Sequence, residues 1–91
     1  MSAPAITEAD ILNEVVAPDR PGLTTAAAQS ILSLRFSDSA RQQIGRLLEA
    51  NNRGDIPPDE RAELDKYLRV GQFLDLLQAK ARVSLAESPG T

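Results

Sequence analysis

The segment from Glu49 to Glu60 carries the spacing that comes closest to a metal site. Counted from Glu49, its twelve residues place Gly54 at position 6 and Glu60 at position 12, where a helix–loop–helix calcium site has its turn glycine and its bidentate carboxylate. Arg53, however, would put a cation at a ligand position, and the two prolines that follow favour a capped turn between helices. We therefore predict that the segment binds no calcium.

Catalytic side chains are scarce in this chain. It contains no histidine and no cysteine, so the commonest general base, the commonest transition-metal ligand and the thiolate nucleophile are all missing. Its serines lack a histidine to activate them, and carboxylate pairs such as Glu60 with Glu63 or Asp10 with Glu14 have the spacing of a solvated helix face. We predict no catalytic residue, no metal, no cofactor and no enzymatic activity.

The overall composition narrows the class of protein further. The chain has 91 residues, 42% of them hydrophobic and 25% charged, as in a single globular domain. Its 13 acidic and 10 basic residues give a net charge of −3, which makes binding to nucleic acid an unfavoured function. The apolar runs are too short for a membrane span, and the first residues do not resemble a signal peptide, so we expect a cytoplasmic protein without a membrane partner.

Helix start and stop signals divide the chain into four segments. Thr7, Thr24 and Ser37 carry hydroxyl groups and precede apolar residues at helical spacing, as helix N-caps do. Gly54 marks the end of the third helix, and Pro58 marks the start of the fourth. The pattern predicts an all-α fold, a small helical bundle made of a short N-terminal helix plus three helices, the last one long. The expected helices span about 8–16, from 24 or 25 to about 34, from the cap Ser37 to the stop at 51–54, and 58–86. We expect an N-terminal arm over 1–23, the bundle over 24–87 and a disordered tail over 88–91.

The last predicted helix is longer than a small globule needs. At 1.5 Å per residue it would span about 43 Å, whereas a chain of this length forms a globule roughly 30 Å across. Its apolar residues also occupy more than one face. A partner protein or a second copy of the chain would cover the second face, or else these residues close a compact four-helix core or the helix bends at Gly71. The residues we predict to bind a partner are Val70, Phe73, Leu76 and Val83.

The other face of the last helix is predicted to form the core. Its apolar residues follow steps of three and four, which is the spacing of one helix face. We expect four leucines of this seam to be buried against the second and third helices. The predicted core comprises Leu64, Leu68, Leu74 and Leu77 against Ile31, Leu34, Ile44, Leu47 and Leu48.

Charge is unevenly distributed along the chain. Four acids and no bases occur through Asp19, so the N-terminal arm could wrap a basic partner. Alternatively, the arm packs back on the bundle through its own apolar residues, Ile11, Leu12, Val15 and Val16. The third helix carries Arg41, Arg46 and Arg53, which form either a basic patch or, as we expect, an ordinary solvated face.

Three stretches of the chain resemble a family of small bacterial helical proteins. They are the residues 31–38 (ILSLRFSD), 54–71 (GDIPPDERAELDKYLRVG) and 76–82 (LLQAKAR), and the resemblance extends over about 5–86. Members of that family are often encoded beside HNH-type nucleases, an arrangement similar to toxin–antitoxin pairs. The resemblance implies a helical accessory or antitoxin-like protein, and it transfers no catalytic residue.

Together these observations predict a non-enzymatic protein-interaction module, antitoxin-like or accessory to a neighbouring enzyme. The alternative is a self-assembling structural module that forms a homodimer through its last helix.

Overall fold

The fold consists of α-helices joined by short turns. The computed structural model describes residues 5–87, and within that range the chain forms four helices and no strand. They are α1 (Glu8–Val16), α2 (Thr25–Leu32), α3 (Asp38–Arg53) and α4 (Pro58–Ala86). The predicted all-α class with a long last helix is therefore confirmed. The predicted tail over 88–91 lies outside the described residues.

The predicted capping residues define the helix starts. The Thr7 hydroxyl accepts from the Asp10 backbone N–H, and the Asp10 carboxylate accepts from the Thr7 backbone N–H, which closes a capping box on α1. The hydroxyls of Thr24 and Ser37 cap α2 and α3 in the same position. Gly54 ends α3 with a φ of 78°, a left-handed conformation that a residue with a Cβ rarely adopts. Local hydrogen bonds thus fix three helix starts and one helix end.

The chain divides into two compact units. The central unit is Arg35–Gly71, and the terminal unit comprises the described residues of Met1–Leu34 and Gln72–Thr91. The boundary between the units falls inside α4, so each unit takes one part of that helix. The described residues of the predicted N-terminal arm, 1–23, belong to the same unit as α2. The division of the chain into this arm and a bundle over 24–87 stays a prediction.

The central unit is a helical hairpin built from α3 and the first part of α4. Leu47 and Leu64 are 2% and 1% exposed and form its core. Gln43 Nε2 donates to Glu63 Oε2 at 3.0 Å, and a second hydrogen bond joins Arg61 to Asn51 at 3.0 Å. Apolar burial therefore holds the hairpin together, and polar side chains link its two helices at separate points.

In the terminal unit, polar side chains of α4 bind main-chain groups of the preceding segments. Gln78 Nε2 donates to the carbonyl of Ile31 at 3.2 Å, which also accepts from the Leu34 N–H, and to the carbonyl of Leu34 at 2.8 Å. The buried Ser84 hydroxyl accepts from the Leu23 N–H at 3.2 Å. These contacts tie α4 to main-chain groups at the end of α2 and in the loops beside it.

Two alanines form the most deeply buried part of the terminal unit. Ala28 on α2 and Ala81 on α4 are both 0% exposed, and Val16 on α1 is 7% exposed. Side chains of this size leave little volume to fill, so the surrounding main chain has to approach closely to achieve the packing density of a protein interior. Small residues, rather than the leucines of the predicted seam, therefore mark the centre of this unit.

The predicted leucine core is correct in part. Leu47 and Leu64 are buried as predicted, whereas Ile31, Ile44, Leu74 and Leu77 are half-buried. The prediction is wrong for three leucines, which are between 38% and 50% exposed: Leu34, Leu48 and Leu68.

Helix geometry explains these exceptions. Leu68 lies about 40° around α4 from Leu64, on the side opposite to Tyr67, because 3.6 residues per turn do not match a step of four. Leu48 lies about 100° around α3 from the buried Leu47. Leu34 follows the end of α2 at Leu32 and so leaves the helical periodicity on which its predicted burial depends. The apolar residues chosen by their spacing in the sequence therefore occupy a wider sector of the helix surface than the sector that is buried.

Candidate interaction surfaces

The central unit carries an open groove on its surface. It encloses about 360 Å³ and is lined by Phe36, Tyr67 and Val70, with Glu63 and Lys66 also on its walls. The rings of Phe36 and Tyr67 meet edge to face, with centroids 6.0 Å apart and planes at 74°. A Cβ at Gly71 would lie 3.6 Å from the Phe36 ring, which is an ordinary van der Waals contact. The groove is thus an apolar recess with one carboxylate and one ammonium group on its walls.

Val70 is the one groove residue that the sequence predicts to bind a partner. It lines the groove with 55% of its surface exposed. Phe36 and Tyr67 were missed in this role, because Phe36 lies in the α2–α3 connection, where no periodicity assigns it to a face. Their residue type is the feature of the sequence that could indicate this role. The chain has only one tyrosine and two phenylalanines, and aromatic side chains are common at binding surfaces.

The other predicted partner-binding residues lie on α4 in the terminal unit. Phe73 is 38% exposed, while Leu76 and Val83 are half-buried. Phe73 therefore presents part of its ring to solvent, and Leu76 and Val83 each retain a smaller accessible surface. Their role as partner-binding residues stays a prediction.

The N-terminal helix packs back only in part, and the alternative that it wraps a basic partner stays a prediction. It packs within the terminal unit through Val16, and Lys80 Nζ donates to the Ala17 carbonyl at 3.4 Å just past the helix end. Of the residues expected to pack back, however, Ile11 is 51% and Val15 is 76% exposed. Helix α1 is therefore anchored on one face and leaves apolar side chains on another.

The arginines of α3 make local contacts. Arg41 pairs with Asp38, and Arg46 donates to the Gln43 side chain. Arg53 pairs with Glu49 at 3.0 Å, and all three arginines are exposed. These short-range contacts are typical of a solvated helix face, and they favour that alternative over a basic patch.

Arg53 also determines the chemistry of the segment that resembles a calcium loop. Its guanidinium donates to Glu49 at 3.0 Å and to Asp55 at 3.4 Å, two carboxylates that a cation would need. Within residues 5–87, no group of three or more carboxylate side chains is arranged to hold a metal ion. Over the same residues, no helix combines the length and apolar character required to cross a bilayer.

We expect calcium at millimolar concentration to leave the melting temperature unchanged, because Arg53 occupies the carboxylates and Gly54 serves as a helix cap. Thermal unfolding followed by circular dichroism with calcium, and with magnesium as the control cation, checks this expectation. A saturable rise in melting temperature that is specific to calcium and absent in Glu60→Gln would contradict it.

The chain matches no family model, no curated protein and no solved structure.

Proposed function

We propose that this chain is a non-enzymatic protein-interaction module that binds a partner protein or a second copy of itself through apolar residues of α4. The observation that supports the proposal is the exposure of these residues: Val70 is 55% and Phe73 is 38% accessible. Side chains of this size on a solvated helix are usually polar, and exposed apolar surface beside charged groups is characteristic of binding sites. The groove beside Val70 offers a recess for a partner side chain in the central unit.

The exposed part of Phe73 alone is enough to influence association. A phenylalanine side chain buries about 200 Å², so covering the accessible 38% would contribute about 2 kcal/mol at 25 cal/mol per Å². A contribution of this size changes a dissociation constant by about thirtyfold. Phe73 is therefore the residue at which a single substitution is most informative.

Two kinds of partner are consistent with the proposal. Following the family resemblance, the partner is a neighbouring enzyme in a bacterial cytoplasm, and the chain acts as an antitoxin-like or accessory protein. In the alternative, the partner is a second copy, and the chain is a structural module that forms a homodimer through α4. The mass of the chain in solution separates them, since a monomer requires a different protein as the partner.

We expect Phe73→Asp to abolish self-association or partner capture while the helical signal of the chain is retained, because a carboxylate cannot be buried unpaired in an apolar contact. Light scattering over a range of concentrations measures self-association, and affinity capture from cells that naturally express the chain measures partner binding. Circular dichroism measures helicity in parallel.

The matched control is Ala62→Asp, which introduces the same charge at a small exposed residue of α4. It should leave association unchanged. Loss of helicity in the Phe73→Asp monomer would assign Phe73 to the core of the terminal unit, and equal behaviour of wild type and Phe73→Asp in both binding assays would refute the proposal.

A further inference from the structure

Helix α1 carries an exposed apolar ridge. Ile11 and Val15 lie one turn apart on the same side of the helix and are 51% and 76% exposed. Ile6, which is 75% exposed, precedes the N-cap Thr7 at the position from which an apolar side chain commonly packs on the residue at position 11. Ile6, Ile11 and Val15 are called the α1 ridge below.

The α1 ridge belongs to a helix that is already ordered. Thr7 and Asp10 close the capping box with two hydrogen bonds of 3.1 Å, so the helix start does not depend on a partner. Val16 is 7% exposed, and Lys80 donates to the Ala17 carbonyl at the helix end. A partner that binds the ridge therefore meets a preformed surface and loses little affinity to ordering this helix.

Acidic side chains border the α1 ridge. By helical geometry, Glu8 lies about 20° from Val15 and shares the ridge face one turn before Ile11, while Glu14 lies about 60° from Ile11 to one side. Asp10 lies beyond Glu14, and no lysine or arginine precedes Arg20 in the sequence. The ridge is thus a strip of aliphatic side chains with carboxylates at its N-terminal end and along one side.

This charge pattern selects the kind of partner. Pairing two α1 helices from two copies of the chain would bring carboxylates of one copy beside carboxylates of the other, and like charges in contact oppose association. A helix with leucine-like residues on one face and lysine or arginine beside them matches the ridge in shape and in charge. We propose that the α1 ridge docks a basic amphipathic helix of a partner protein, an inference that rests on the proposed interaction function and names a second surface for it.

The test uses the full chain and two synthetic peptides. The first is an amphipathic helical peptide of about 14 residues, roughly four turns, made of leucine and lysine only, and the second has glutamate in place of every lysine. Fluorescence anisotropy of the labelled peptide measures binding. We expect the lysine peptide to bind with an affinity that falls as sodium chloride is raised, and the glutamate peptide not to bind.

Three variants locate the binding site. Ile11→Ser with Val15→Ser should weaken binding of the lysine peptide by about tenfold or more, because it removes the aliphatic contact. Glu8→Gln with Glu14→Gln should weaken binding and flatten its salt dependence. The matched control, Asp59→Asn with Glu60→Gln, removes the same charge from exposed positions of the central unit and should leave binding unchanged. Circular dichroism checks that each variant retains its helices.

The inference would be overturned by any of the following results: no binding of the lysine peptide by the wild type, equal binding of both peptides, equal weakening by the control pair, or unchanged binding in the Ile11 and Val15 variant. Loss of homodimerisation in that variant would identify a second copy as the occupant and would overturn it too. Because the peptide assay does not involve Phe73, failure here is distinguishable from failure of the proposed function, which the Phe73→Asp experiment tests separately.

Discussion

Leu64→Ala is expected to lower the free energy of unfolding by about 2–5 kcal/mol, a large part of the roughly 5–15 kcal/mol that stabilises a small domain. Leu64 is 1% exposed and, with Leu47, forms the core of the central unit, so truncation removes buried apolar surface and leaves a cavity. Urea denaturation followed by circular dichroism at 222 nm measures the change.

Leu68→Ala is the matched control for this prediction. It makes the same chemical change one turn further along α4, at a side chain that is 49% exposed, and should cost well under half as much as Leu64→Ala. Similar losses of unfolding free energy for the two variants would contradict the difference in burial between Leu64 and Leu68. They would support the sequence-based prediction that both leucines are buried.

Ala81→Leu is expected to destabilise the terminal unit by about 1–3 kcal/mol or more. Ala81 is 0% exposed, and three additional carbon atoms have no space at its position unless the packed segments move apart. Because Gln78 and Ser84 flank it on α4, such a movement would also strain their hydrogen bonds to main-chain groups of the terminal unit. Thermal denaturation should show a lower melting temperature.

Ala62→Leu provides the comparison, because Ala62 is exposed on the same helix. Both substitutions replace alanine by leucine, so they change the intrinsic helix propensity by the same amount. Its melting temperature should stay close to that of the wild type. If Ala81→Leu were as stable as the wild type, the centre of the terminal unit would have to contain unfilled volume beside Ala81.

The helices were predictable from the sequence because their ends are defined locally. The Thr7 capping box and the Gly54 cap involve residues within a few positions of each other, so their residue types alone identify them. Burial was less predictable because it depends on which neighbour covers which face. The exposure of Leu68 follows from a rotation of about 40° around α4, and the pattern of apolar residues does not encode the direction from which α3 approaches.

The candidate surfaces were predictable only in part. Val70 and Phe73 stood out because they are apolar and lie beside the leucine seam. Phe36 and Tyr67 come from different segments, and their contact depends on the path of the α2–α3 connection, which has no periodicity from which to infer a direction. The anchoring of α1 through Lys80 was likewise not evident, because the hydrogen bond joins a charged side chain to a carbonyl 63 positions earlier.

The hydrogen bonds of Gln78, Lys80 and Ser84 have a consequence for the evolution of this chain. Their partners are main-chain atoms, which every residue type supplies apart from the missing N–H of proline. Selection on these contacts therefore acts on the three α4 side chains, and the side chains at the receiving positions take no part in them. Related chains can consequently keep this attachment of the N-terminal segment to α4 while the sequence of that segment drifts.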